Sequence, residues 1–449
     1  MKLRKKYLGL TVIIALLGLG SVSFHAYQKA KYAYDDFETP AYCRQCHDLF
    51  YEQWDQALMS DAYSHEWDEI EYFQLAVPHS EKDPAMMDAQ EGCNGCHTPM
   101  AYLAGDVPPP DPKTNPRANE SVSCDVCHTI TGFSGDTPFN HNYVITPGKT
   151  KFTSIKRNQD SPNHQIDTTR FFASAEFCGI CHNEKSPFDV WVKSTHLELM
   201  EGPYYKEGVV CQDCHMPDGP GKVAKMGDRY DNVQMHLFNG AHDPGKIRGT
   251  VEIRIAPHVQ GLEPGEPLVL TVTLYNQKTG HKFPTGSVED RIVWLHVEAI
   301  DEGGNVYPIP VDEKGFEGEE YTIAGEALAY QDMGIPLGIE NFEGLRREMV
   351  PVGDRIFRMP YFDKEGRMTM MQWNTASLGV DYRIGPRETK VETYTFNVPF
   401  DVTPGELTIK AVMYYRLLVR SVGEYLKVPE SEYTAMTVNE QEVKVTVYP

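Results

Sequence analysis

The chain has 449 residues, of which 41% are hydrophobic and 24% charged, and carries a formal net charge of -22. That apolar fraction excludes a disordered chain, and the length calls for two domains of ordinary size. The acidic excess excludes nucleic acid as a partner, because phosphate binding needs clustered Lys and Arg, and favours a basic or neutral protein instead.

In chain order, Lys2, Arg4, Lys5 and Lys6 precede an uncharged, mostly apolar run from Tyr7 to Phe24. This is an export signal at the lower end of bilayer-spanning length, with its basic flank kept in the cytoplasm. Ser21-Val22-Ser23 offers a small-x-small cleavage site, but the polar stretch from Gln28 to Asp36 reads as a spacer to a tethered domain. The expected reading of 1–30 is a retained helix that holds the protein on the periplasmic side of the cytoplasmic membrane. The alternative is a soluble exported protein.

All ten cysteines fall into five copies of one motif. They are Cys43-Arg-Gln-Cys46-His47, Cys93-Asn-Gly-Cys96-His97, Cys124-Asp-Val-Cys127-His128, Cys178-Gly-Ile-Cys181-His182 and Cys211-Gln-Asp-Cys214-His215. C-x-x-C-H is the attachment signature of c-type haem: two thiols three residues apart share one face of a helical turn and add to the vinyl groups, while the next residue takes one axial position on iron. Disulfides or zinc pairs would explain the cysteines but not the histidine after every pair, in a chain with only 16 His. Five covalent haems are therefore expected in a domain spanning 31–247, which has few long amphipathic segments, frequent Pro and Gly, and a surface loop from Pro108 through Asn119. The macrocycles would fill this domain, so the apo-chain should be largely unfolded. A weak repeat is visible too: Trp54 and His65 follow the first motif as Trp191 and His196 follow the fourth.

From 248 to 449 the pattern turns to alternating, β-branched runs: Thr250 to Ile255, Leu268 to Tyr275, Arg291 to Ala299, Val391 to Val398, Glu406 to Val412 and Glu442 to Val447. Turns such as Glu263-Pro264-Gly265 and Thr403-Pro404-Gly405 separate them, which predicts an all-β antiparallel sandwich. The stretch from Asp312 to Asp381 reads as an insertion, acidic at Glu317 to Glu320 and Met-rich at Met368 to Met371. The fold class is thus a mainly α and irregular pentahaem domain followed by a β-sandwich.

Several strings resemble the multihaem cytochromes of the cytochrome c554 kind, in particular members with an appended β-domain. They are Trp54…His65, Ser123 to Thr129, Phe177-Cys178, Trp191…His196 and Cys211 to Pro217, with Gly280-His281-Lys282-Phe283-Pro284-Thr285-Gly286, Arg291 and Asp381-Tyr382-Arg383-Ile384 in the β half. The resemblance implies closely packed, mostly bis-histidine haems and an electron relay rather than a catalyst.

Five irons need five further ligands if all are six-coordinate. His65 and His196 are expected among them from their placement after Trp54 and Trp191, and His164 from its place before Phe171 and the fourth motif in the manner of relatives. His236 is the next choice. His242 is taken for the fifth, in competition with His79, His141 and His281, the last of which a loop would have to deliver from the β half. His296 alternates with apolar residues and reads as structural, and the Met-rich stretch as gap-filling. The function expected is electron relay outside the cytoplasm, in anaerobic respiration, between a membrane or periplasmic donor such as a quinol-oxidising complex and a downstream acceptor. The β-domain would serve docking or self-association. The rival is a reductase of a small nitrogen or sulfur compound with one open haem position, which no C-x-x-C-K motif marks.

Overall fold

The computed structural model describes residues 31–64, 67–86, 88–111, 113–155, 161–312, 350–351 and 353–449. The helix expected over 1–30, His65 and the acidic run Glu317 to Glu320 lie outside them. Among the described residues no helix is long and apolar enough to cross a membrane.

Up to about residue 247 the chain forms short helices and two-stranded ribbons. The five motifs sit on the helices Pro40–Arg44, Asp88–His97, Cys124–Cys127, Ala175–His182 and Cys211–His215 or run directly out of them. Local sequence starts them where it can: the Thr39 side chain accepts from the Tyr42 N–H ahead of Pro40, and Ser123 accepts from Val126 N–H. None is long enough to persist alone, since isolated helices below ~12–15 residues are marginal in water. The apolar cluster nearest the motifs is small, built on Phe37, Met100, Leu103, Val126, Ile130, Ile145 and Ile180.

The β half packs two sheets. One has three strands, Thr389–Asn397, Pro267–Asn276 and Val251–Pro257, all antiparallel. The other has six, in the order Gly261–Leu262, Met436–Val447, Gly405–Arg416, Ile292–Ile300 and Val306–Pro308, with Arg355–Phe357 also on Ile292–Ile300. Period-two alternation puts Leu268, Leu270, Val272 and Leu274 inside against Leu407, Ile409 and Met413 of the facing sheet. All six expected runs lie on these strands. The expected antiparallel pairing is corrected at one place: Gly261–Leu262 runs parallel to the end of Met436–Val447. This short strand enters from the crossover between the two sheets and so lies alongside the last strand in the same direction.

The two halves share a core. Trp67, Tyr72 and Leu75 pack with Trp294, Met370, Met371, Trp373 and Leu418, so the Met-rich stretch fills space between irregular surfaces. A buried ion network joins the halves as well. Arg383 Nη1 lies 2.7 Å from Glu198 Oε1, and its Nε lies 2.9 Å from Asp381, which also takes Lys282 Nζ at 2.7 Å. Burial raises the carboxyls, but Arg383 outweighs it for Glu198, and Arg383 with Lys282 holds Asp381 at about 2. Depressed carboxyls contribute stability that is present above their unfolded values, near ~3.9–4.3, and lost as pH falls through the folded ones. Acid below the ordinary carboxylate range should therefore loosen the junction first. Replacing Arg383 by Leu leaves Glu198 buried without its counter-ion, and should lower the stability of the β half by ~3–5 kcal/mol, read from denaturant midpoints.

Candidate haem-binding site

The motif helices, the loops between them and one edge of the β half enclose a single connected cavity of 2470 Å³, well beyond the ~300–1,000 Å³ of a pocket for one small ligand. All ten cysteines are free. The motif histidines His47, His97, His128, His182 and His215 line the cavity, and so do His164, His196, His236, His242 and His281.

The motif histidines are oriented from behind. His47 Nδ1 lies 2.7 Å from Val223 O, His97 Nδ1 2.7 Å from Ala62 O, His128 Nδ1 2.7 Å from Phe152 O and His215 Nδ1 2.8 Å from Asn239 O. A carbonyl at that distance takes the Nδ1–H and leaves Nε2 with a free lone pair, the tautomer a metal needs. Burial also lowers the pKa of His128 and His215, and takes His182 to about 4, which keeps the rings neutral.

Three of these rings face a second imidazole across the cavity. His47 and His164 have ring centroids 6.0 Å apart, His128 and His236 6.1 Å, and His215 and His281 6.5 Å, the last two pairs nearly parallel. Two metal–nitrogen bonds of about 2 Å plus the half-width of each ring leave about 6 Å between centroids, so one iron fits between each pair. The second rings are oriented in the same way: Nδ1 lies 3.3 Å from Gln165 O in His164, 3.1 Å from Gln234 O in His236 and 3.0 Å from Lys282 O in His281. Burial takes His236 down to about 3.

His196 is 3% exposed. Its Nδ1 accepts from the Asn183 amide at 2.9 Å, and among the described residues its Nε2 is buried without a hydrogen-bond partner. The other candidates are placed differently. His242 Nε2 is 3.7 Å from Glu432, and His79 accepts from Trp373 Nε1 at 3.0 Å. His141 packs on the peptide of Gly95, inside the second motif. His258 Nε2 lies 3.0 Å from Thr271 Oγ1, and His296 is held by Asp354 at 2.8 Å.

His281 reaches the cavity because of the two strings that the sequence made conspicuous without explaining. Phe283 and Ile384 exchange backbone hydrogen bonds, Lys282 pairs with Asp381, and Arg383 donates to Pro284 O and to Glu198. Thr285 Oγ1 donates to Glu198 at 2.7 Å. Gly280 to Gly286 and Asp381 to Ile384 thus form one mount that presses His281 against the haem half.

The motifs themselves are in contact. Cys43 touches Cys124, Cys96 touches Cys181, and Cys178 touches Cys211 through their thiols. Cys127 is electrostatically coupled to Cys178 and Cys181. The attachment points therefore run continuously, first motif to third, third to fourth, and fourth to both second and fifth.

A buried His196 Nε2 without a hydrogen-bond partner among the described residues, facing imidazoles and paired thiols along one large cavity fit covalent haem and support a multihaem c-type cytochrome. Comparison with known proteins agrees. Residues 42–129 match the family described as cytochrome c554 and c-prime. The crystal structure of a penta-heme cytochrome c552 from Thermochromatium tepidum superposes with a TM-score of 0.62 at 17% identity, covering 91% of this chain and 99% of that chain. It shares the fold of both halves. A CARDB domain from Pyrococcus furiosus, at TM-score 0.19 and 11% identity over 44% of this chain and 87% of that one, is too slight a likeness to carry an argument. No curated protein matches the chain. An electron-transfer or other haem-based redox role follows from the class.

Glycines in the motifs report the packing. A Cβ on Gly95 would lie 2.2 Å from the His141 ring, and one on Gly179 2.8 Å from the His196 ring, whereas Gly132 has nothing within 4 Å. Gly95→Ala should cost ~1–3 kcal/mol as overpacking, read as a lowered unfolding midpoint of the holoprotein. Gly132→Ala should stay within ~0.5 kcal/mol of the parent.

Proposed function

We propose that the chain carries five covalent haems and relays electrons, outside the cytoplasm, from a membrane or periplasmic donor to a downstream acceptor in respiration. The observation that carries this reading is the set of facing imidazole pairs along one cavity into which all five motifs open. Haem iron, when bound, supplies a one-electron couple whose potential follows its axial ligands and burial. The chain's part is to hold the rings opposite one another at the spacing an iron needs, most of them with Nδ1 turned to a backbone carbonyl.

The axial set consists of His47, His97, His128, His182 and His215 from the motifs. His164 serves opposite His47, His236 opposite His128, and His281 opposite His215. His281 takes the fifth place in preference to His242, which stands near Glu432 rather than opposite a motif ring. His196 serves a remaining iron, supported by its buried, unpartnered Nε2, and His65 the other.

A chain of net charge -22 favours a basic partner, and the export-type N-terminus favours retention at the membrane near a quinol-oxidising complex. The β half, which delivers His281, is also the part available for docking or self-association.

Intact mass of the mature protein should exceed the polypeptide by five haem masses, and any other increment removes the five-haem reading. His281→Ala should leave attachment intact and create one new high-spin signal in low-temperature EPR, while His242→Ala leaves the spectrum of the parent. The reverse result would reassign the fifth ligand. High-spin iron in the unmutated protein that binds nitrite, hydroxylamine or carbon monoxide would replace the relay by a reductase.

A further inference from the structure

Behind the second motif, where the two halves meet, lies a cluster of ionisable groups that iron ligation does not use. Asp68 and Glu71 come from the helix Asp68–Glu71, and Glu184 and Lys193 from the paired strands Asn183–Lys185 and Trp191–Ser194. The β half adds Glu289, Asp290 and Arg291 ahead of the strand Ile292–Ile300, together with Arg358 and Gln372. Glu289 and Asp290 are each 1% exposed and Glu71 9%.

The hydrogen bonds leave gaps. Lys193 Nζ lies 2.7 Å from Glu184. With its amide turned to satisfy both neighbours, Gln372 accepts from Lys193 at 2.9 Å and donates to Glu289 Oε1. Arg358 donates to the backbone carbonyl of Glu289, not to its carboxylate. Arg291 donates to Leu417 O and lies over the Trp67 ring. Among the described residues Glu289 Oε2 and Asp290 Oδ1 are buried without a hydrogen-bond partner. A cavity of 50 Å³ lined by Asp68, Glu71, Asp290, Lys193 and Gln372 reaches Cys93 and His97, and Gln372 links it to Glu289. It exceeds the ~10–15 Å³ that a single water needs, and carboxyls and an ammonium stand in its wall.

Among the described residues the carboxyls here outnumber the cations, and a buried charge without compensation costs several kcal/mol, which favours protonated carboxyls. Burial first, and then repulsion among Asp68, Glu71, Glu289 and Asp290, raises Glu71 and Glu289 far above the carboxylate range, with Lys193 pulling Glu289 back. Burial and Asp68 raise Asp290 to about 6 against the pull of Arg291, Lys193 and Arg358. The cluster therefore holds protons above the ordinary carboxylate range, beside a haem attachment site.

We propose that Glu71, Glu289 and Asp290 form a proton store coupled to the redox state at the second motif. When one electron from the donor reduces the ferric centre there, one proton moves from water onto a carboxylate of the cluster. When the electron passes on, the proton returns to water. Electroneutrality is the physical cause: in a low-dielectric site the added negative charge is stabilised most strongly by a proton a few ångströms away. This rests on the reading of the chain as a haem relay.

The test is a potentiometric titration of the holoprotein across the neutral range, combined with redox-difference infrared spectroscopy. One couple should fall as pH rises, with a slope approaching ~59 mV per unit, the tenfold change in proton activity converted for a one-electron couple. Reduction should change a carboxylic-acid carbonyl band. Glu289→Gln, or Glu71→Gln as the second isosteric variant, should flatten that couple alone and remove the band, with all haems still attached. A parent protein with no carboxylic-acid band in its difference spectrum, or an unchanged slope in both variants, overturns the proposal. A parent that carries no covalent haem fails the relay reading instead, so the two failures are distinguishable.

Discussion

The structure depends on one spatial constraint, two imidazoles held face to face at the separation that a single six-coordinate iron requires. Three such pairs occur, at 6.0, 6.1 and 6.5 Å. No apolar contact between the rings sets that spacing. It comes from carbonyls behind each ring and from loops whose course has no other evident purpose. The same constraint explains the poverty of the first half, in which a cluster of seven buried side chains is the apolar core beside most of the motifs. A cavity of 2470 Å³ has to be filled before the short helices around it can hold their places.

The constraint also explains why the β half is attached as it is. The sandwich has its own well-packed interior, yet it places His281 opposite His215 in the other half, with a buried Glu198–Arg383 pair holding the loop there. Buried ion pairs contribute little net stability compared with apolar packing, but they fix geometry. Here the geometry fixed is the position of a ring opposite His215. The carboxyl cluster near Cys93 has the same origin: it lies in the seam between the halves, where polar loops from both are covered without being fully paired.

The local part of this was legible in the sequence. The motifs carry their chemistry in five consecutive residues, and the strands carry period-two alternation, so attachment sites and the sandwich could be read from residue order. What could not be read was which residues meet across long separations. His164 and His236 were named as candidates, but which ring each faces depends on how the motif helices stack. The place of His281 before a Pro-Gly turn has a sufficient local explanation, and its approach to His215 appears only when Asp381 to Ile384 folds back on it. Gly95 and Gly179 held a readable signal, since a motif position without a side chain indicates a close neighbour. The parallel pairing of Gly261–Leu262 has no signature in so short a run. The ion network joins three distant segments and the carboxyl cluster more than that, and no window of sequence contains either.

The most direct test of the account is low-temperature EPR of the oxidised, unmutated holoprotein. Facing imidazole pairs predict low-spin ferric iron at the sites of His47, His128 and His215, and a relay predicts that no site admits an added small ligand. A dominant high-spin signal, or one that shifts when nitrite or hydroxylamine is added, would contradict the account, because it would mean that the facing rings do not close the coordination of the iron.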